Sequence, residues 1–126
     1  MNFPESLKYT KDHEWILLHG DTGTIGITDY AQGELGDVVF VELPATGKVI
    51  KQHDSFGTIE AVKAVSELYA PVSGTVVEVN KDMEGTPELV NKDPYGKGWM
   101  VKIKLSIADE VSGLLTASGY KQLIGK

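Results

Sequence analysis

The sequence predicts a mainly β fold, a small sandwich or barrel built from two small sheets. Its apolar runs are short, rich in Val and Ile, and separated by Gly, Pro and Asp, which is typical of strands joined by turns. A second observation is an internal echo, because residues 43–50 and 70–77 share a Pro, a hydroxyl residue, a Gly and two β-branched residues at matching places. The echo indicates two similar halves, and we expect each half to supply one sheet.

Strand signals follow one another along most of the chain. An N-terminal hairpin is predicted first, with strands at 15–19 and 24–27 on either side of a turn at 20–23. Further strands are predicted at 38–43, 47–50, 56–62, 64–70, 74–79 and 98–105. The aromatic residues Trp15, Phe40 and Trp99 lie in or beside these runs, and we expect them in the core.

One short helix is predicted between the strands, at 29–35. Thr28 precedes it and can cap its first turn through the side-chain oxygen. Gly36 follows it and can take the left-handed conformation that commonly ends a helix. The spacing therefore predicts a helix of two turns before the strand at 38–43.

Two C-terminal helices are also predicted. Ser106 and Asp109 have the spacing of a capping box, which predicts a helix that begins near Ser106. A last short helix is predicted at 120–124, ended by Gly125. The apolar face of the first of these helices would consist of Ile107, Val111, Leu114 and Leu115.

Length and composition exclude several classes of function. The 126 residues fit one domain, residues 1–126, and the formal net charge is −6 with neither Cys nor Arg. Without Cys there is no disulfide framework, thiolate zinc site, iron–sulfur cluster or cysteine nucleophile. Net acidity and the lack of Arg disfavour nucleic-acid and anionic-membrane surfaces. Because the apolar runs are too short to cross a bilayer and no targeting pattern is visible at the N-terminus, we expect a cytoplasmic protein.

No catalytic constellation is visible. The histidines, His13, His19 and His53, lack metal-ligand spacing, and we interpret them as surface or hydrogen-bonded structural residues. The sequence has neither a Gly-x-Ser-x-Gly elbow nor a Gly-rich phosphate fingerprint. We therefore expect no metal site and no enzymatic activity of the chain itself.

The informative stretch is a lysine between two strand-like runs. Lys63 has no Gly, Asn or Pro beside it to make a reversal, is flanked by the small residues Ala61 and Ala64, and is bracketed by Glu60 and Glu67. If the chain reverses at this point, Ala61 lies opposite Ala64 and the lysine amine projects from the hairpin tip. A solvated hairpin lysine is the simplest interpretation, but an exposed amine on such a tip is also what a swinging-arm carrier domain requires.

The sequence resembles the H-protein family of the glycine cleavage system along nearly its whole length. The matching segments are 7–9, 13–15, 25–28, 35–44, 60–64, 70–74, Asn80, Pro94-Tyr95 and 98–100. The resemblance implies the lipoyl/biotinyl type of fold, a barrel-sandwich hybrid with an N-terminal hairpin and C-terminal helices. It also implies that Lys63 carries lipoate in amide linkage, attached by a lipoyl ligase or a lipoyl transferase.

The resemblance further implies a carrier role with three enzyme partners. The lipoyl arm would take an aminomethyl group from the pyridoxal-phosphate glycine decarboxylase and deliver it to the aminomethyltransferase. Dihydrolipoamide dehydrogenase would then reoxidise the arm, so the hard chemistry belongs to cofactors and partners. We expect a monomer, because the arm must be free for successive partners.

Acidic residues near the lysine are the other site candidates. The resemblance implies that Glu14, with Glu67 and Asp12, lines a cleft in which the loaded arm rests, where a carboxylate would bind the ammonium group. Glu60 and Glu67, which bracket Lys63, are the candidates that the lipoylating enzyme recognises. Glu67 thus has two candidate roles.

Other lysine carriers fit less well. A lipoyl domain of a 2-oxo acid dehydrogenase normally has Asp before its lysine, and a biotin carrier has Met on both sides, whereas Val62 and Ala64 flank Lys63. A relay that passes lipoyl or octanoyl groups to other complexes needs the same exposed lysine and stays open as the alternative function. A structural interaction protein with an unmodified Lys63 is the remaining interpretation.

Overall fold

The computed structural model describes residues 2–126, which form nine strands and several short helices. The strands are β1 Lys8–Tyr9, β2 Glu14–His19, β3 Thr22–Ile27, β4 Val38–Glu42, β5 Val49–Ile50, β6 Ser55–Ala61, β7 Val65–Tyr69, β8 Gly74–Val79 and β9 Val101–Leu105. The helices are α1 Asp29–Leu35, α2 Asp82–Gly85, α3 Leu89–Lys92, a 3-10 helix Ala108–Gly113, and α4 Ala117–Leu123. Within residues 2–126, no helix has the length and apolarity that crossing a membrane requires.

Two antiparallel sheets enclose the main core. One has six strands in the order β1-β2-β3-β9-β8-β5, and the other has three in the order β4-β6-β7. Apolar side chains from both sheets alternate inward and meet between them. The fully buried members of this core include Ile16, Ile25, Ile59, Leu68, Val76 and Ile103. The predicted mainly β class with two sheets is confirmed.

Every predicted strand is present, with differences at the ends. The N-terminal hairpin joins β2 to β3, with His19 opposite Thr22, so its loop is shorter than the predicted turn. The strand predicted at 98–105 begins only at Val101. The two-residue strand β1 was not predicted, because its pairing of Tyr9 with Trp15 comes from the fold and leaves no periodic signal in two residues.

The internal echo has a different meaning from the one expected. Its two segments do not belong to different sheets, because β5 pairs with β8 inside the six-stranded sheet. Val49 lies opposite Thr75, and the amide of Val76 donates to the carbonyl of Lys48 at 2.9 Å. In the echo, Val49 corresponds to Val76 and Lys48 corresponds to Thr75. The pairing of Val49 with Thr75 is therefore equivalent to the pairing of Lys48 with Val76, and a local two-fold axis relates the two segments.

Helix α1 has the predicted bounds and caps. The side chain of Thr28 accepts a hydrogen bond from the amide of Ala31 at 3.1 Å, which satisfies one free donor of the first turn. Gly36 ends the helix with φ +83° and ψ −159°. This region of backbone conformation is essentially restricted to glycine.

The first C-terminal helix was predicted wrongly. Residues 108–113 form a 3-10 helix without a side-chain cap, so Ser106 is not the cap of a capping box. Its side chains do not share one apolar face, because Ile107 is exposed while Leu114 and Leu115 pack against different clusters. Helix α4 begins earlier than predicted, at Ala117, and Thr116 caps it. The short helices α2 and α3 were not predicted.

Phe40 is another correction, because half of its surface is exposed. A bulge in β4 shifts the register between Val38 and Phe40, so that Val38 points to the core and Phe40 to solvent. A bulge adds one residue to a strand and therefore disturbs the alternation of its side chains. Trp15 is buried as expected, and Trp99 is partly buried.

A second, aromatic cluster lies outside the main core. It joins the N-terminal segment, β2 and α4, and its buried members are Phe3, Leu7, Tyr9, Trp15, Ala117 and Tyr120. The rings of Tyr9 and Tyr120 stack with centroids 5.0 Å apart. The indole of Trp15 donates to the carbonyl of Pro94 at 3.0 Å. The chain ends are thus packed together on one side of the six-stranded sheet.

The end of α1 gives a stability prediction. We expect Gly36→Ala to lower the free energy of unfolding by about 1–3 kcal/mol, because alanine is disfavoured at this φ and ψ. Urea unfolding would measure the change. Gly33→Ala is the matched control: Gly33 lies in the same helix, has open space around its Cα, and has no positive φ. That variant should gain roughly 0.5–1 kcal/mol. Equal effects of the two variants would contradict the strain assigned to Gly36.

Candidate functional site

The chain reverses between β6 and β7 with Lys63 at the tip. The amide of Ala61 donates to the carbonyl of Ala64 at 2.7 Å, as expected for a two-residue loop. Neither Val62 nor Lys63 has a positive φ, so the loop is not one of the mirror-image turns that favour Gly or Asn. Instead the amide of Val62 donates to the carbonyl of Asp37 at 3.0 Å. The tip is therefore held from the side, by the residue that precedes β4.

The side chain of Lys63 extends over the end of α1. A Cβ added to Gly36 would lie 3.1 Å from the lysine Cε and 3.7 Å from Nζ. Because Gly36 has no side chain, the aliphatic part of the Lys63 side chain can lie directly over it. Lys63 is nevertheless exposed. Its amine is accessible on a backbone that is fixed on both sides.

A cleft of about 270 Å³ begins beside this path. It lies between the turn before β2, which comprises residues 11–13, helix α1 and the β6–β7 pair. Its apolar lining is Ile27, Ala31, Leu35, Ile59 and Leu68. Its acidic lining is Asp12, Glu14, Glu34 and Glu67. Leu35 lines the cleft and the next residue, Gly36, lies under the lysine stem, so the cleft and the amine are neighbours.

Glu14 is the most buried of the acidic residues, with 2% of its surface exposed. Its Oε1 accepts from the hydroxyl of Thr10 at 2.8 Å, and its Oε2 accepts from the amide of Tyr69 at 3.2 Å. Burial raises the pKa of Glu14 to about 8, although the hydrogen bonds from Thr10 and Tyr69 act in the opposite direction. The penalty for burying the charge is thus larger than the stabilisation from two donors.

The structure brings three of the four acidic candidate residues together and leaves one apart. Asp12, Glu14 and Glu67 all line the cleft, whereas Glu60 does not. Glu60 lies opposite Val65 on the outer face of the small sheet. Glu67 lies opposite Thr58, which is two residues before Glu60 in β6 and on the same face. Glu60 and Glu67 are therefore diagonal neighbours across the β6–β7 pair.

Glu34 and His13 are among the lining residues that sequence reasoning did not assign to the cleft. Glu34 is exposed and α1 was predicted from its caps alone, so only the position of the helix across the cleft from β7 assigns Glu34 to the lining. His13 has φ +70°, and its Nδ1 lies 2.8 Å from the hydroxyl of Tyr120. The hydrogen-bonded structural interpretation of this histidine is correct, but no local signal indicates its distant partner.

Exposed apolar side chains lie on the strands and the turn near Lys63. Val39, Phe40, Val62 and Val65 are each at least half exposed. The register puts Phe40, Glu60 and Val65 in one row across the small sheet. A macromolecule that engages Lys63 would therefore meet an apolar surface that carries a carboxylate.

No group of three or more His, Cys, Asp or Glu side chains in residues 2–126 has the arrangement of a metal site. The cleft carboxylates are spread along its walls, on the turn, α1 and β7. Their arrangement suits a cationic organic group beside apolar walls. A hydrocarbon chain that ends in an amine has this combination of properties.

Comparisons with known proteins agree on one family. The family model described as "Glycine cleavage H-protein" matches residues 7–126. A "Glycine cleavage system H protein" of Staphylococcus carnosus is 60% identical over 126 residues, the full length of both chains. One of Staphylococcus haemolyticus is 57% identical over the same length. The crystal structure of a glycine cleavage system H protein from Mycobacterium marinum, 41% identical, superposes with a TM-score of 0.90 and covers 98% of this chain and 99% of that one.

The buried carboxyl gives a pH prediction. Because the folded pKa of Glu14, about 8, lies above the ordinary value of 4.5, its contribution to stability is complete below about pH 4.5 and is lost as the pH rises towards 8. We expect Glu14→Gln to remove this loss between pH 5 and 8, in urea unfolding at a series of pH values. Burial lowers the pKa of His13, which makes the free energy of unfolding rise with pH in both proteins. The difference in the free energy of unfolding between wild type and variant at each pH is therefore the quantity to compare. A difference independent of pH would contradict a protonated, buried Glu14.

Proposed function

The chain belongs to the glycine cleavage H-protein family, and we propose that it is the lipoyl carrier of a glycine cleavage system, with lipoate in amide linkage to Lys63. The family predicted from the sequence is thus confirmed. The observation that carries the proposal is the exposed Lys63 on a hairpin tip beside a cleft with apolar walls and acidic residues. The names of the relatives do not favour the alternative, an acyl relay to other complexes.

The local structure fits an attachment site for an acyl arm. Amide formation needs an accessible amine, and lysine presents one on a flexible four-carbon stem. The bonds from Ala61 to Ala64 and from Val62 to Asp37 hold the base of the arm, while the amine beyond them is free to move. A lipoyl transferase or ligase can thus reach the amine without unfolding the hairpin.

The cleft fits the arm in its loaded state. The lipoyl group, when bound, supplies the dithiolane that takes up an aminomethyl group. The apolar lining, which includes Leu35 and Leu68, would contact the hydrocarbon chain and exclude water from it. Asp12, Glu14 and Glu67 would lie around the ammonium group, where a charge-assisted hydrogen bond is available.

Glu14 would change its charge when an ammonium group enters the cleft. A nearby positive charge favours the carboxylate form and therefore lowers a raised pKa. Near neutral pH the empty cleft holds a largely protonated Glu14, because its pKa is about 8. Entry of the cation would release this proton, and the ion pair would form in a site that is closed to most solvent.

The proposed partners follow from this carrier role. They are the pyridoxal-phosphate glycine decarboxylase, the aminomethyltransferase, dihydrolipoamide dehydrogenase and the lipoylating enzyme. We assign no catalytic residue to the chain, which presents a substrate to each partner and acts in the cytoplasm as a monomer.

The attachment site is tested by Lys63→Arg. Because arginine cannot form the lipoyl amide, we expect the variant to fold but to gain no mass when incubated with lipoate, ATP and a lipoyl ligase. It should also fail to support glycine–bicarbonate exchange with glycine decarboxylase. Intact-mass analysis with peptide mapping is the measurement, and Lys48→Arg, at an exposed lysine beside another turn, is the control that should still be lipoylated at Lys63. An unmodified wild-type protein, or exchange by the Lys63 variant, would refute the attachment site.

The recognition role of the bracketing carboxylates is tested by the double variant Glu60→Gln and Glu67→Gln. We expect kcat/KM of the ligase for the carrier to fall about three- to tenfold, since each exposed charge pair contributes at most about 1 kcal/mol. The control is Glu84→Gln with Glu88→Gln, which removes the same charge from exposed positions around α2 and α3. Equal lipoylation rates for the two double variants would reject the role.

A further inference from the structure

The turn before β2 has a strained residue at its centre. His13 has φ +70°, a conformation that a non-glycine residue keeps only where its surroundings impose it. Its amide donates to the carbonyl of Thr10 at 3.1 Å, and its carbonyl accepts from the amide of Thr28 at 3.0 Å. The two residues beside it, Asp12 and Glu14, both line the cleft. The orientation of two cleft carboxyls therefore depends on this turn.

A chain of hydrogen bonds reaches the turn from the interior. The Oγ1 of Thr28 lies 2.8 Å from the hydroxyl of Tyr120, and that hydroxyl lies 2.8 Å from Nδ1 of His13. Thr28 and Tyr120 are completely buried. The chain thus connects the cap of α1, helix α4 and the turn through two hydroxyl groups that water does not reach.

The direction of each bond follows from counting donors. The Oγ1 of Thr28 already accepts the amide of Ala31 at 3.1 Å, and its only other partner in residues 2–126 is the hydroxyl of Tyr120. A buried hydroxyl hydrogen needs an acceptor, so Thr28 donates to Tyr120. The hydroxyl hydrogen of Tyr120 is then donated to Nδ1 of His13. That nitrogen must be an acceptor, which leaves the proton of the neutral imidazole on Nε2.

The surroundings of His13 agree with a neutral ring. Burial lowers the pKa of His13, against the opposing influence of Asp12 and Glu34. If the ring were protonated, Nδ1–H would face the hydroxyl of Tyr120, whose hydrogen would have to turn towards Thr28. The hydroxyl hydrogen of Thr28 would then have no acceptor in a fully buried place, which is unfavourable. The chain therefore resists protonation of His13.

We infer that Thr28, Tyr120 and His13 form a positioning chain for the arm cleft. It holds His13 as the neutral tautomer with its proton on Nε2 and fixes the strained turn from which Asp12 and Glu14 face the arm. None of the three residues needs to touch a reacting atom. The part of this inference that concerns the arm rests on the proposed function, whereas the tautomer does not.

The test removes one hydroxyl group at a time. Tyr120→Phe deletes the central member of the chain. The control is Tyr9→Phe: this ring stacks on Tyr120, and its hydroxyl donates to the carbonyl of Pro4 at 2.6 Å, away from the cleft. A purely structural role would make the two variants similar. Thr28→Val and Thr28→Ser form a second pair, in which only serine keeps the hydroxyl.

The first readout is the tautomer of His13, measured by nitrogen-15 NMR on the protein without lipoate. We expect Nδ1 to be unprotonated and Nε2 protonated in the wild type, in Tyr9→Phe and in Thr28→Ser. Tyr120→Phe and Thr28→Val should show a mixture of tautomers. A wild-type ring protonated on Nδ1, or an unchanged ring in Tyr120→Phe, would overturn the chain.

The second readout is the loss of the aminomethyl group from the loaded protein in the absence of partners. We expect Tyr120→Phe to lose it about fivefold faster, the factor that one net hydrogen bond represents, while Tyr9→Phe keeps the wild-type rate. A changed tautomer with unchanged loss would refute the positioning of the arm. A wild-type protein that cannot be lipoylated would refute the proposed function instead, and the NMR result would still decide on the chain.

Discussion

The carboxyl group of Glu14 connects the two sheets at the cleft, and the arrangement around it depends on this contact. Glu14 begins β2 of the six-stranded sheet, and its Oε2 accepts the amide of Tyr69 at the end of β7 in the three-stranded sheet. Because β7 is an edge strand, this donor would otherwise need water or another partner. One side chain thus satisfies one donor of an open edge and connects the six-stranded sheet to the three-stranded sheet beside the cleft. Its burial is also what raises its pKa to about 8, so the same contact supplies a structural joint and a titratable group.

Helix α1 links this joint to the lysine. Thr28 at its start touches the turn before β2, Leu35 at its end lines the cleft, and Gly36 lies under the Lys63 stem. A helix of this length is marginal by itself, so its position comes from its caps and from packing. The hairpin is fixed in a similar way, because a bond to Asp37, the residue after Gly36, replaces the turn-forming residues that the tip lacks. The backbone that carries Lys63 and one wall of the cleft are therefore parts of one framework.

Local signals in the sequence were sufficient for every strand except β1, for α1 and for the lysine hairpin. They failed where distant residues decide the outcome. A bulge lies between Val38 and Phe40, and no residue there indicates it in the sequence. The alternation of inward and outward side chains along β4 therefore did not predict that Phe40 is exposed. The internal echo is real, but only the fold shows that its two copies pair with each other. In the same way the cleft combines a turn, a helix and a strand edge, so the sequence could indicate its acidic residues, with help from the family resemblance, but not Glu34 or the partner of His13.

On the proposed function, this composition of the cleft makes it selective for one state of the arm. Its apolar lining residues on β3, α1, β6 and β7 offer contacts that the loaded and the empty arm share. The carboxyl groups of Asp12, Glu14 and Glu67 distinguish the two states, because only the loaded arm carries an ammonium group. A charge-assisted hydrogen bond contributes about 1.5–3 kcal/mol, which corresponds to a preference of roughly ten- to a hundredfold. Since that preference disappears when the aminomethyl group leaves, the carrier would protect its cargo in transit and release the arm after delivery without any change in its own fold.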